Sequence, residues 1–250
     1  MPQSTFKSQL HAYATETLGF DECRFTDLKL DKAIDNYKNW LKKNDIGDMR
    51  YLRDHLNHKA DPQLLLENAK TAIVLSKNYK NTITQELNNR FKIARYAVGK
   101  DYHQVMRDKL GELSQHIKTL IPSAECYCGV DSSPIAERSL AIKAGIGFLG
   151  KNTMVIKPGL GSYLFIGVIL INQEFEADQP LKWNCGQCRL CIDACPTQAI
   201  NNDFTLSATK CISYQTIERK TPLSAGEIRK AKGWIFGCDI CQEACPYNHE

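Results

Sequence analysis

The chain has 250 residues, 43% of them hydrophobic and 24% charged, and a formal net charge of +4. That apolar content supports one large domain or two smaller ones and excludes a disordered chain. The longest apolar run, residues 163–171, is too short to cross a bilayer, and the polar N-terminal stretch carries no signal-like apolar segment. Eleven cysteines without a mark of secretion point to a reducing compartment, so a cytoplasmic protein is expected.

In chain order, residues 6–18 and 34–41 place apolar residues at helical spacing, while 71–75 and 91–97 read as strands. Tyr102, Val105, Met106, Leu110, Leu113, Ile117, Leu120 and Ile121 form a helical stripe, read as core packing. Residues 124–130 are strand-like, and 134–144 read as a helix with Ser133 as N-cap and Pro134 at its first position. Two strands follow at 153–156 and 163–171, joined by a turn at Pro158-Gly159. Gly145-x-Gly147-x-x-Gly150 matches a dinucleotide fingerprint and, with Lys151, nearly spells a P-loop. Both matches are decoys. A helix precedes and a strand follows, and Asn152 stands where a P-loop needs a hydroxyl. A glycine-rich turn that lets backbone approach a large flat ligand fits better.

The chemistry is concentrated near the C-terminus, in Cys185-x-x-Cys188-x-x-Cys191-x-x-x-Cys195-Pro196, then Cys211, then Cys238-x-x-Cys241-x-x-x-Cys245-Pro246. Two-residue spacers let one loop wrap an iron–sulfur cube, and in two-cluster ferredoxins the fourth cysteine of such a run serves the other cube. The crossed assignment gives Cys185, Cys188, Cys191 and Cys245 to one [4Fe–4S] cluster, and Cys195, Cys211, Cys238 and Cys241 to the other. Zinc also takes Cys-x-x-Cys pairs, but usually two pairs parted by a long loop, and disulfides lack a secretory context. Between the cysteine groups Lys210, Arg219, Lys220, Arg229, Lys230 and Lys232 outnumber Glu218 and Glu227. By charge alone that stretch is a solvated face or a surface for an acidic partner. Asp131 ends the strand 124–130 just before a helix. It is either a helix cap or a proton donor facing a cleft.

Several stretches carry a family resemblance: Gly47-Asp48-Met49-Arg50-Tyr51-Leu52, Asp61-Pro62, Tyr96-Ala97-Val98-Gly99-Lys100-Asp101-Tyr102-His103, Val130-Asp131-Ser132 with Glu137-Arg138, Ala144 through Asn152, Gly161-Ser162-Tyr163, Cys211 through Glu218, and Gly237 through Gln242. With them the chain resembles epoxyqueuosine reductase, the cobalamin-dependent family of tRNA queuosine synthesis, over nearly its whole length. The resemblance implies an α+β protein. A cobalamin-binding, nitroreductase-like α/β sandwich would span 1–180 and a ferredoxin-like two-cluster module 181–250. It implies electron flow through the clusters to cobalamin held base-off, and reduction of the epoxide at the wobble base of tRNA to the cyclopentene of queuosine, with loss of water. Asp131 takes the proton-donor position, and Lys59, Asp131, Val155, Ser213, Cys238 and Asp239 lie near cobalamin. The implied partners are the anticodon stem-loop and an unidentified electron donor. A monomer with no membrane attachment is expected. Relatives continue past the point matching Glu250 with further helical sequence, sometimes a HEAT-like repeat domain that helps hold tRNA. Two other readings are a cobalamin-dependent reductive dehalogenase, typically exported by a twin-arginine signal not seen here, and a simple two-cluster electron carrier that binds no cobalamin.

Overall fold

Strands buried on both faces read as unbroken apolar runs, and the two such runs here become neighbours at the centre of the main sheet. The computed structural model describes residues 3–80, 86–87 and 91–249. It begins with α1 (Gln3–Ala12), extended by a π-helical turn at Tyr13–Thr17, then β1 (Glu22–Asp27), α2 (Asp31–Lys43), α3 (Tyr51–Asp54), α4 (Leu56–Ala60) and β2 (Thr71–Asn78). Next come β3 (Glu86–Leu87), β4 (Phe91–Ile93), α5 (Tyr102–Leu120), β5 (Cys126–Val130), α6 (Glu137–Lys143), β6 (Phe148–Leu149), β7 (Val155–Ile156) and β8 (Leu164–Ile171). The cysteine-rich part holds α7 (Leu190–Ala194), α8 (Ile212–Ile217), α9 (Ala225–Lys230), β9 (Trp234–Phe236) and α10 (Ile240–Glu243).

The main sheet runs β1-β2-β8-β5, every neighbour antiparallel. Alternation along β2 and β8 feeds two cores. Ile73, Leu75, Ile169 and Ile171 pack with Phe6 and Leu10 of α1 and Met106 and Leu110 of α5. Ala72, Val74, Val168 and Leu170 pack with Ile34 of α2 and Leu140 and Ala141 of α6. Helices therefore cover both faces, and the α+β expectation holds.

Two local expectations change. The run 91–97 stays extended only through Ile93 and closes as a 3-10 turn over Arg95–Ala97. The turn at Pro158-Gly159 is present, closed by a bridge between Lys157 and Gly161, with β7 paired to β6 and β8 in the main sheet. The helix expected from 134 starts at Glu137, with Ala136 as an N-cap that makes no side-chain bond. Neither Ser133 nor Asp131 caps it. Asp131 takes a left-handed backbone, φ 47°, and turns the chain out of β5, while Ser133 Oγ accepts the Val130 N–H at 3.2 Å. The glycine-rich turn makes room for neighbouring protein. A Cβ on Gly147 would lie 2.6 Å from the Ile156 carbonyl oxygen, and one on Gly150 2.5 Å from the Ile156 side chain.

The cysteine-rich part is sewn onto the first. Strand β9 runs parallel to β4, and Trp40 Nε1 donates to the Leu206 carbonyl at 2.8 Å. A buried polar net joins the last residues to the loop before β8. Asn248 Oδ1 accepts from Ser162 N at 2.7 Å, and Ser162 Oγ donates to Gln242 Oε1 at 2.9 Å. Gly161, φ 85°, permits this approach, since a Cβ there would lie 2.0 Å from Asn248 Oδ1.

Candidate active site and cluster centres

Short helices α7 and α10 pack on one another and bring the two cysteine groups together. Cys185, Cys188, Cys191 and Cys245, 54 residues beyond Cys191 by numbering, ring one cavity with Lys151, Asn152, Ile156, Pro246 and Tyr247. The cavity holds about 320 Å³ of non-atom space, part of it open to solvent. Among the described residues no three His, Cys, Asp or Glu side chains converge as one metal ion requires. Thiols spread around a space fit a cube better than a tetrahedral zinc. Burial first, then the neighbouring Cys185, Cys245 and Cys188, push the Cys191 thiol up to about 11. Iron charge in that cavity would reverse the effect.

Cys195, Cys211, Cys238 and Cys241 form the second group. Burial pushes Cys238 up to about 12, and Cys211 and Cys195 add to the rise. Burial also leads in holding Cys241 well above the thiol range, with Cys211, Cys238, Cys191 and Cys195 contributing. Cys241 thus senses a member of each group, so the two centres are adjacent. Cys195 differs. Burial opposes its ionisation, but hydrogen bonds from Thr197 and backbone N–H groups outweigh burial and lower its value.

Lys151 and Asn152, the decoy motif of the sequence, belong to this centre. Lys151 is 8% exposed and its Nζ donates to the carbonyls of Gly186 at 3.0 Å and Cys188 at 2.9 Å. No cysteine pattern announces it. The only sequence signal is a lysine after a glycine-rich turn that fits neither nucleotide motif.

Asp131 closes β5 at the sheet's edge. Its side chain is 55% exposed rather than sunk in an apolar pocket. Tyr102 donates to Asp131 Oδ2 at 2.7 Å, and His103 Nε2 lies 2.7 Å from the same oxygen. The other ring nitrogen, Nδ1, lies 2.8 Å from Asp101 Oδ1. Burial opposes the imidazolium, but hydrogen bonds to Asp131 and Asp101 prevail and raise His103. Tyr102 stacks on Phe165 at 4.3 Å and on His103 at 4.0 Å. The apolar stripe of α5 thus opens on a residue with a polar task, which a core-packing reading of Tyr102 missed.

The other expected contacts divide. Lys59 Nζ donates to the Ile135 carbonyl at 2.9 Å, bracing the loop that follows Asp131. Its value is lowered, by burial above all. Glu137 is beside it. One carboxylate oxygen is buried without a hydrogen-bond partner among the described residues, and burial followed by Asp131 raises it to about 7. Val155 is 3% exposed, packed in the second core. Ser213 lies in α8 and Cys238 between β9 and α10. Asp239 is 1% exposed and accepts the Arg95 N–H at 2.7 Å; burial leads in raising it to about 6. Tyr96 stands between these groups: burial, then Asp131, then Asp239, push it up to about 12.

A cleft of about 1100 Å³ is lined among others by Tyr37, Trp40, Tyr51, Arg138, Leu149 and Phe204. Its size exceeds that of an ordinary small-ligand pocket. None of the six expected cobalamin contacts lines it. Tyr51, which does, is pushed above the tyrosine range by burial first, then by Glu218 and Asp131.

Residues 184–248 match a family model described as a 4Fe-4S double cluster binding domain, and residues 59–132 match one described as Epoxyqueuosine reductase QueG, DUF1730. An epoxyqueuosine reductase of Cyclobacterium marinum is 40% identical over 244 residues, covering 96% of this chain and 79% of that one. The chain belongs to the epoxyqueuosine reductase family. This is a family of oxidoreductases that join a double [4Fe–4S] domain to cobalamin. A crystal structure of an epoxyqueuosine reductase with an epoxyqueuosine-modified tRNA-Tyr stem loop superposes with a TM-score of 0.88 at 31% identity, covering 99% of this chain and 66% of that chain. A catabolic reductive dehalogenase, NpRdhA, superposes at 0.62 with 15% identity, over 96% of this chain and 32% of that one. That likeness is one of fold alone. The family relationship thus favours the reductase reading over both the dehalogenase and the plain electron carrier. No helix among the described residues is long and apolar enough to cross a membrane.

Proposed function

We propose that this chain reduces epoxyqueuosine to queuosine at the wobble position of tRNA, as a cytoplasmic monomer, with Asp131 as the acid. The observation that carries the reading is the Asp131 carboxyl, fixed through Oδ2 by Tyr102 and His103 at 2.7 Å each and exposed to solvent on its other side. The epoxide oxygen leaves as water, so it must be protonated as its carbon bonds break. A carboxyl anchored by one oxygen can present the other to that atom.

Cys185, Cys188, Cys191 and Cys245 would hold one cluster, and Cys195, Cys211, Cys238 and Cys241 the other. The clusters and cobalamin, when bound, supply the reducing electrons, which an external donor must provide. The protein's own part is to hold, orient and protonate. Lys59 and Glu137 brace the Asp131 loop. Val155, Ser213, Cys238 and Asp239 would offer backbone and shape to cobalamin, since the Val155 and Asp239 side chains are buried. The exposed Lys220, Arg229, Lys230 and Lys232 would take the phosphates of the anticodon arm.

The test is anaerobic reconstitution with iron, sulfide and cobalamin, followed by incubation with a reductant and an epoxyqueuosine-containing stem-loop. Queuosine in the digested RNA is the expected product. A fully loaded enzyme that leaves the epoxide intact would overturn the reading.

A further inference from the structure

The net reaction fixes how many protons the acid must deliver, and to which atom. Turning an epoxide into an alkene breaks both carbon–oxygen bonds of one oxygen. Two electrons and two protons enter, and both protons depart on that oxygen as water. A carboxyl carries one proton. An acid facing that oxygen must be recharged before turnover is complete.

Resting on the reading above, we propose that His103 is the proton reservoir of Asp131: the imidazolium passes a proton to Asp131 Oδ2 across their 2.7 Å contact while Asp101 holds the far ring nitrogen at 2.8 Å, and the exposed carboxyl then turns to offer that proton, so that in two passes it protonates the departing oxygen twice. The balance closes. Each pass starts as a carboxylate and an imidazolium and ends as a carboxylate and a neutral imidazole, with one proton moved to the departing oxygen, and two passes put both protons into water. The reductant supplies both electrons, and solvent reloads the pair through the His103 ring, 30% exposed.

The placement is over-determined. Asp101 is the N-cap of α5, and its Oδ1 also accepts the His103 backbone N–H at 2.9 Å. Ring and helix start are therefore locked together, and stacking on Tyr102 fixes the ring plane. A carboxylate against each ring nitrogen favours the doubly protonated form. Tyr102 cannot be the reservoir: burial, then its bond to Asp131, hold its proton far above the tyrosine range. The charged and titratable groups around the pair are Asp101, Tyr102 and Arg107 from α5 and its cap, and Asp131 from the loop after β5. Lys59, Glu137, Tyr51 and Tyr96 act from behind it on Asp131 or Tyr102.

His103→Gln keeps a donor toward Asp131 but carries no transferable proton. In pre-reduced holoenzyme with an epoxyqueuosine stem-loop, single turnover should slow by about 10²-fold, with KM unchanged. The basic limb of the wild-type pH profile, where the imidazolium is lost, should disappear. A second readout needs no turnover. By histidine-detected NMR on the full chain, His103 should titrate above the ordinary 6.5 and fall back in both Asp131→Asn and Asp101→Asn. A wild-type rate with an intact basic limb in His103→Gln overturns the proposal, as does a titration that Asp131→Asn leaves unmoved. If His103→Gln does not fold, Asp101→Asn, a good N-cap, carries the rate test. A loaded wild-type enzyme that forms no queuosine counts against the reaction itself, and the titration then decides the pairing.

Discussion

Glu137 and Asp131 are two acids on one loop with opposite surroundings. Asp131 is 55% exposed, whereas the Glu137 carboxyl is buried beside Lys59 and raised to about 7, chiefly by burial. A folded value above the ordinary 4.5 means that this group favours folding most below pH 4.5. The advantage is lost as pH climbs to about 7, where the ionised form costs about 3 kcal/mol. Glu137→Gln removes that cost, so its melting temperature relative to wild type should rise between pH 5 and pH 8. A difference that stays flat over that range would show the carboxyl to be solvated. Asp131→Asn keeps the bond to Tyr102 but not the transferable proton. Epoxide reduction should fall by about 10²–10⁴-fold with the fold intact, whereas a wild-type single-turnover rate would remove Asp131 from the acid's role. Asp131 was legible in the sequence as a carboxyl at a strand end. Its partners were not. Tyr102 opens an apolar stripe that burial explains by itself, and only the start of α5 at Asp101 turns Tyr102 and His103 toward the carboxyl.

Apolar period decided most of the elements. The runs at 71–75 and 163–171 became the central strands, and the stripe from Tyr102 became α5, because each supplies residues to a core on a fixed side of the sheet. Boundaries governed by backbone conformation were hidden. The turn at Asp131, φ 47°, delays α6 to Glu137, and Pro134 falls in the loop. The tasks of the glycine-rich turn before β7 were hidden for a similar reason. Gly147 and Gly150 answer to the closeness of Ile156 and Gly145 to that of Gln179, and the lysine points across to the first cysteine loop. Lys151→Met would strand the Gly186 and Cys188 carbonyls without their donor. Gly186 is exposed and Cys188 half-buried, so water replaces the donor only in part; the lost bonds cost about 1 kcal/mol, and the loop should loosen. The reconstituted variant should lose iron to a chelator faster than wild type, and the loss should stop near half the iron, because only the centre of Cys185 and Cys188 is affected. Equal iron-release curves would show that the lysine merely fills space.

At the scale of the whole molecule, charge sorts by tether. Arg219 is 23% exposed and bound to Glu227 at 2.6 Å, which in turn closes the capping box of α9 with Ser224. Lys220, Arg229, Lys230 and Lys232 are exposed, next to exposed Ile228, Ile235 and Phe236. Cations free of a carboxylate release counterions when they meet phosphates, while a cation already paired releases few. Affinity for a tRNA stem-loop should therefore fall as salt rises. Replacing Lys220 and Arg229 together with Ala should weaken binding at low salt and flatten the slope of log affinity against log salt by about 1.5, at about 0.7–0.9 per lost phosphate contact. Arg219→Ala is the internal control. It removes the same formal charge from the same stretch but breaks the strut to Glu227, so it should lower the melting temperature and leave the salt slope close to wild type. If all three cations were interchangeable parts of a diffuse positive field, the single Arg219 variant would flatten the slope by half as much as the double variant. That outcome, or a double variant with the wild-type slope, would remove this face as the phosphate-binding surface.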